Sequence, residues 1–184
     1  MEQALVLVSI VLGVAIAFEL EHLNRVLRAP NVKWHWAQPL FALFVLLSII
    51  AFWWGAGSKQ DGDLSLGQFM PVMFQLIILA LLAAVSFPDS IPEDGLDLAE
   101  YYQQNRRYQW GLMSLYFWSL HVGYLIYSAG RAESFAQFAV WTGPDTLGAS
   151  LIVAMIFARK WWQVALGFTV LSLAPLVWAT RVLG

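Results

Sequence analysis

Six long runs of apolar residues fill most of the chain, and short polar segments separate them. A helix needs about 18 or more apolar residues to cross the ~30 Å hydrocarbon core of a bilayer, and the runs meet or approach that length. The pattern predicts an all-α integral membrane bundle of six transmembrane helices. The predicted spans cover about 4–26, 37–55, 68–87, 107–128, 135–158 and 161–181.

Composition supports a chain that lies mostly within the bilayer. Hydrophobic residues make up 60% and charged residues 12% of the 184 positions, whereas a soluble domain carries roughly 25% charged residues. Spans of this length leave only short connections, so we expect a single transmembrane domain over 1–184. The net charge of −2 gives no indication of nucleic-acid binding. The lack of cysteine excludes disulfides and thiolate chemistry.

Lysine and arginine are distributed unevenly between the two sides of the predicted spans. When alternate connections are assigned to alternate sides, seven basic residues lie on one side and three on the other. The positive-inside rule places the richer side in the cytoplasm. We therefore expect a multi-pass protein of the bacterial inner membrane with both termini on the outer side. The richer side holds Arg25, Arg28, Lys33, Arg106, Arg107, Arg159 and Lys160, and the poorer side holds Lys59, Arg131 and Arg181.

The fifth apolar run contains a turn dipeptide followed by a helix-start signal, at Gly143-Pro144-Asp145. We expect this helix to be broken near Pro144, with Thr142 or Asp145 capping a second segment over about 146–158. The residues before the break would form a short interfacial or re-entrant helix. At membrane depth Asp145 would indicate a cavity, whereas at the interface it would be a cap, which the pattern favours.

The most unusual polar residues lie near the end of the first span. Glu19 is roughly 7 Å inward of Asn24 at 1.5 Å per residue, and it shares a helix face with His22. Glu21 and Arg25 are four residues apart, which predicts an ion pair. Ionisable groups inside a span are costly and usually face the bundle interior or a water path. A carboxylate beside an imidazole suits proton or cation passage; the alternative is a polar helix end that pairs with basic residues at the interface.

A second polar stripe follows one face of the predicted fourth span. Ser114, His121 and Tyr124 recur at offsets of seven and three, and with Asp145 they extend the candidate polar seam. His121 is either part of this seam or a hydrogen-bonded core residue. Because His121 lies at a different depth from His22, two axial ligands could not meet at one haem. No metal ion or other cofactor is predicted.

Small residues give the first span a face suited to close helix contact. Ser9, Gly13 and Ala17 are four residues apart, the small-xxx-small spacing that lets two helix backbones approach. We expect a homo-oligomer, from dimer to tetramer, with the first helix at the interface. The alternative is that the same face packs inside its own bundle.

A capping signal precedes the fourth span. Asp97 followed by Glu100 is a capping-box-like start, and nothing after it breaks the helix, so we expect the fourth helix to begin there and project into the cytoplasm. The stretch Asp97–Arg107, which reads Asp-Leu-Ala-Glu-Tyr-Tyr and ends in Arg-Arg, resembles one in uncharacterised small bacterial multi-span membrane proteins. The resemblance covers a small part of the chain and implies no activity, cofactor or residue role.

The sequence contains no nucleophile elbow, His-Glu-x-x-His motif or phosphate-binding glycine loop, so enzymatic activity is the less favoured class. The leading hypothesis is a small permeation protein that moves protons, ions or a small solute through the polar seam. One alternative is an accessory or assembly subunit of a larger membrane complex. Another is a membrane enzyme that acts on lipid or quinone, with Glu19 and His22 or the Glu100–Arg107 segment near headgroup level.

Overall fold

The computed structural model of the chain describes residues 2–58 and 66–173. Within these ranges the fold is all-helical, with six α-helices and one pair of two-residue strands. The elements are α1 (Glu2–Arg28), β1 (Val32–Lys33), α2 (Ala37–Ser58), α3 (Leu66–Val85), β2 (Leu96–Asp97), α4 (Leu98–Ala129), α5 (Phe135–Met155) and α6 (Trp161–Leu171).

Three of the described helices contain segments long and apolar enough to cross a membrane, at Val6–Arg28, Ala37–Gly55 and Phe135–Met155. Two shorter apolar segments occur at Phe69–Val85 and Trp161–Leu171. These helices support a membrane protein. Several predicted features lie outside the described residues, namely Lys59, Arg181 and the last part of the predicted sixth span, 174–181.

The chain divides into two compact units, Met1–Asn105 and Arg106–Gly184. In the first unit α1 packs against α2 and α3. Its buried positions recur at offsets of four and three, which defines a single helix face. The positions are Val8, Leu12, Ala15, Glu19, His22 and Val26. Large apolar side chains on the opposite face of α1 are exposed, as expected of a surface in contact with lipid.

A parallel pair of short strands, which the sequence pattern did not predict, closes one end of the first unit. Val32 pairs with Leu96 and Lys33 with Asp97, and the Leu96 amide donates to the Asn31 carbonyl at 2.9 Å. A small apolar core lies beside this pair. Its buried members are Val26, Ala42, Phe87, Leu96 and Leu98.

The capping signal at Asp97 is confirmed. Asp97 Oδ1 accepts hydrogen bonds from the backbone amides of Ala99, at 2.9 Å, and Glu100, at 3.2 Å. α4 then continues for 32 residues as the longest of the described helices. A side-chain acceptor satisfies two amides that a helix start otherwise leaves without an intrahelical partner.

The fifth helix is not broken, so the predicted interruption near Pro144 is wrong. α5 runs for 21 residues with Pro144 inside it. Its cap lies at its beginning, where Ser134 accepts a hydrogen bond from the Gln137 amide at 3.2 Å. Proline removes one backbone donor, and helices in apolar surroundings tolerate this where side-chain hydroxyls and neighbouring helices satisfy the freed groups.

Neither residue predicted to cap a second segment of α5 does so. Thr142 is buried and donates from its hydroxyl to the Phe138 carbonyl at 2.8 Å, within the same helix. Asp145 is a partly buried residue of the helix interior. A threonine that donates back to the carbonyl four residues earlier is compatible with a continuous helix.

In the second unit, α4, α5 and α6 meet through close side-chain contacts. Trp110 is fully buried and packs edge to face on Phe168, with ring centroids 5.4 Å apart. A Cβ placed on Gly167 would lie 2.1 Å from Met155 Sδ, so α6 approaches α5 closely there, and a larger residue would require the Met155 side chain to move.

Candidate functional site

One end of the first unit brings together polar side chains, most of them buried, from α1, from α2 and from the segment that follows α3. The chain reverses between α1, α2 and α3, so the end of α1, the start of α2 and the end of α3 lie together. We call the polar group at this end the Glu19 cluster. It consists of Glu19, His22, Gln38, Ser86 and Asp89.

Glu19 is only 3% exposed, and neither of its carboxyl oxygens accepts a hydrogen bond from any residue that the structure describes. The Ser86 hydroxyl lies near the Glu19 carboxyl, within range of a hydrogen-bonding interaction. However, this hydroxyl donates to the Leu82 carbonyl at 2.9 Å. A buried charge without a partner is costly, so this position favours a bound proton or a bound cation.

His22 lies on the same buried face of α1 as Glu19 and contacts a surface carboxylate. The residue is 7% exposed, and its Nε2 lies 3.6 Å from Asp89 Oδ1, an ion-pair distance, while the Asp89 side chain is 89% exposed. The other ring nitrogen, Nδ1, is buried and makes no hydrogen bond within the described ranges. The imidazole thus has one nitrogen toward a surface carboxylate and one inside the unit.

Gln38 adds a third polar side chain from the first turn of α2. It is fully buried, and its Nε2 donates to the Ser86 carbonyl. Its Oε1 is buried without a hydrogen-bond donor among the described residues. A carboxyl, an imidazole nitrogen and an amide oxygen therefore occupy one buried region with hydrogen-bonding capacity left over.

The predicted ion pair between Glu21 and Arg25 is present, with Oε1 and Nη2 2.9 Å apart. It lies on the exposed side of α1 and outside the Glu19 cluster. Arg25 also donates to the Asp89 backbone carbonyl. The guanidinium therefore fastens the loop after α3 to α1, which holds Asp89 next to His22.

The second predicted stripe lies in the other unit and forms hydrogen bonds between helices. His121 is buried, and its Nε2 lies 2.8 Å from Thr146 Oγ1. The same hydroxyl donates to the Thr142 carbonyl at 2.7 Å, so the hydroxyl must accept from His121, and the imidazole carries its proton on Nε2. Tyr124 donates to the Trp141 carbonyl at 3.2 Å.

The remaining sequence candidates have local roles or exposed positions. Ser114 is buried and donates to the Trp110 carbonyl at 2.6 Å, within α4. Ser9, Gly13 and Ala17 are exposed, and a Cβ at Gly13 would meet no atom of the described chain within 4 Å. The homo-oligomer stays a prediction.

Sequence reasoning missed three members of the Glu19 cluster. Gln38 carried a signal, since it is a polar residue at the start of an apolar run. Ser86 and Asp89 carried none, because their proximity to α1 depends on chain reversal and on the contact from Arg25.

No protein-family model matches this chain, and comparisons with curated proteins and with solved structures found no match.

The His121–Thr146 contact gives a stability prediction. Replacing both His121 by Phe and Thr146 by Val should cost less than the sum of the two single replacements. The coupling should be about 0.6 to 1.7 kcal/mol, as for interhelical hydrogen bonds in membrane proteins. Unfolding of the four proteins in detergent measures it, and additive losses would show that the hydrogen bond contributes nothing.

His35, outside the apolar segments, gives a pH prediction. Its Nδ1 accepts from the Ala37 amide at 3.4 Å at the start of α2, and burial lowers its pKa from the ordinary 6.5, opposed by the Asp97 charge. The unfolded chain then binds this proton more readily than the folded chain, so stability should fall as pH falls below about 6.5 and level off below the folded pKa. Thermal unfolding between about pH 7 and pH 5 tests this. His35→Asn retains an acceptor for the Ala37 amide but does not titrate, so it should remove the loss of stability at low pH that His35 causes. The same pH dependence in His35→Asn and the wild type would contradict this prediction.

Proposed function

We propose that this protein is a small multi-pass protein of the bacterial inner membrane that conducts or transports protons or other small cations, with Glu19 at the ion-carrying position. The observation that carries the proposal is the burial of Glu19 without a hydrogen bond from the described residues. Ionisable side chains in membrane helices are expensive and characteristic of ion paths and proton relays.

The contrast with His121 supports a functional role over helix packing. A polar side chain that joins helices makes a hydrogen bond across them, as His121 does with Thr146 at 2.8 Å. Glu19 lies on the inward face of α1 but makes no such bond to the described chain. A hydrogen bond between helices of the kind that His121 makes therefore does not explain a carboxyl at this position.

The proposed orientation in the membrane is inferred from the distribution of the basic residues. Six spans with both termini outside would put the end of α1 and the start of α2 at the cytoplasmic face, where Arg25, Arg28 and Lys33 are found. The Glu19 cluster would then form the cytoplasmic mouth of the path.

Purified protein in liposomes that contain a pH-sensitive dye provides the test. Under a potassium diffusion potential, the wild type should move protons, and Glu19→Gln should reduce the rate to that of protein-free liposomes, since the amide cannot carry the ion. Glu21→Gln is the matched control, because it makes the same change two residues away on an exposed side chain. Equal rates for the wild type and Glu19→Gln would refute the proton form of the proposal, and ion-selective dyes would test other cations.

A further inference from the structure

We propose that protons reach Glu19 from the loop after α3, first through Asp89 and then through His22. This inference deepens the proposed function and rests on it, because it names the proton as the transported species and the loop as its point of uptake.

The three side chains form a graded series from solvent to the interior. The Asp89 side chain is 89% exposed and the His22 side chain 9%, while Glu19 as a residue is 3% exposed. The first step joins Asp89 Oδ1 and His22 Nε2 across 3.6 Å. The second step, from His22 to Glu19, runs along α1, because residues three apart share a helix face.

The proton transfers balance at each atom. Protonated Asp89 gives its proton to His22 Nε2, which leaves a carboxylate and an imidazolium. The imidazolium gives the proton on Nδ1 to the Glu19 carboxylate, which leaves a neutral ring with its proton on Nε2. Asp89 takes its next proton from water, and tautomer exchange or rotation of the ring restores His22.

Both transfers require side-chain movement, because the 3.6 Å between Asp89 Oδ1 and His22 Nε2 exceeds a hydrogen-bond distance. His22 Nδ1 makes no hydrogen bond to the described residues, so in the proposed relay its proton passes to Glu19 after a change of side-chain conformation or through water. No hydrogen bond from the described residues holds this nitrogen, and an imidazole can carry its proton on either ring nitrogen.

The surrounding groups do not compete for this proton. On the same helix, Glu21 and Arg25 pair with each other at 2.9 Å. α2 contributes Gln38 and the segment after α3 contributes Ser86, neither of which titrates. Lys33 and Asp97 of the two strands lie 4.0 Å apart and neutralise each other.

α4 brings Tyr101 close to the end of α3 and to Asp89. The Tyr101 hydroxyl donates to the Val85 carbonyl at 3.1 Å. Burial raises the pKa of Tyr101 to about 12, and the negative charge of Asp89 adds to the increase. Tyr101 therefore keeps its proton throughout the physiological range.

The relay is tested by dye-reported proton uptake in liposomes. Asp89→Asn and His22→Gln should each slow uptake about tenfold or more, because a positioned acid or base contributes roughly 100-fold or more to proton transfer. Asp89→Glu should retain the rate. Asp94→Asn is the matched control, since it removes another exposed carboxylate from the same loop. Added imidazole should restore uptake in His22→Gly but leave Asp94→Asn unaffected.

Two outcomes separate failure of the relay from failure of the proposed function. If Glu19→Gln stops uptake and Asp89→Asn does not slow it, the relay is wrong and the proposed function stands. If the wild type moves no protons, infrared spectroscopy after an acid jump follows protonation of Glu19 directly, with the carboxyl band assigned by its loss in Glu19→Gln. Slower protonation in Asp89→Asn would then support the relay without transport, and an unchanged rate would overturn both.

Discussion

Replacing Glu19 by leucine should stabilise the protein and abolish the proposed proton movement. A buried polar group without a partner costs about 1–3 kcal/mol, and an apolar side chain of similar shape removes that cost. We therefore expect the free energy of unfolding to rise by about 1–3 kcal/mol. Reversible unfolding in detergent measures the gain, and the liposome assay measures the loss of activity.

The matched control for this stability measurement is His121→Leu. His121 is also buried, but its imidazole donates to Thr146 at 2.8 Å, so its removal should destabilise the protein. If the free energy of unfolding rises in Glu19→Leu and falls in His121→Leu, Glu19 is kept for activity at the expense of stability. This relationship is common at functional sites. Destabilisation by Glu19→Leu would instead indicate that Glu19 is a structural residue.

The helices of the first unit could largely be predicted from the hydrophobic pattern. In α1, buried positions recur at offsets of four and three, and Glu19 and His22 occupy two of them. This periodicity is local information, so the sequence alone correctly placed both side chains on one face. Which helices that face would meet depended on chain reversal, which the pattern does not specify.

The error at Pro144 shows the limit of local signals. Glycine, proline and aspartate in succession usually favour a turn, but a continuous α5 accepts Pro144 inside it. The outcome depends on tertiary packing, including the His121–Thr146 hydrogen bond two residues further along the helix. The residues next to Pro144 in the sequence do not indicate that contact, because His121 lies 25 residues from Thr146.

The Glu19 cluster could be predicted only in part for the same reason. Asp89 lies 64 residues from Arg25, which fixes its backbone carbonyl, and Gln38 lies 48 residues from Ser86. Contacts of this separation arise from the assembled fold. The strand pair that supports the loop has only two residues in each strand, too few for an alternating pattern to be recognised.

Gly95→Ala should disrupt this end of the first unit. Gly95 has φ +103°, which residues with a side chain rarely adopt, and an added Cβ would lie 2.5 Å from the Asn31 carbonyl oxygen. The backbone conformation alone should cost about 1–3 kcal/mol, and the overlap adds to this because a backbone atom cannot give way as a flexible side chain can. The Leu96–Asn31 hydrogen bond and the β1–β2 pair should open.

Gly95→Ala should impair the proposed proton path as well as lower the stability. The loop between α3 and β2 carries Asp89, so displacement of Gly95 should weaken its contact with His22 and slow proton uptake in liposomes. Gly123→Ala in α4 is the control, because a Cβ there would meet no described atom within 4 Å. Unfolding in detergent and hydrogen exchange at the Leu96 amide measure the local effect. Wild-type stability and exchange in Gly95→Ala would show that the strand pair does not constrain the loop, and would remove the structural basis for a fixed Asp89.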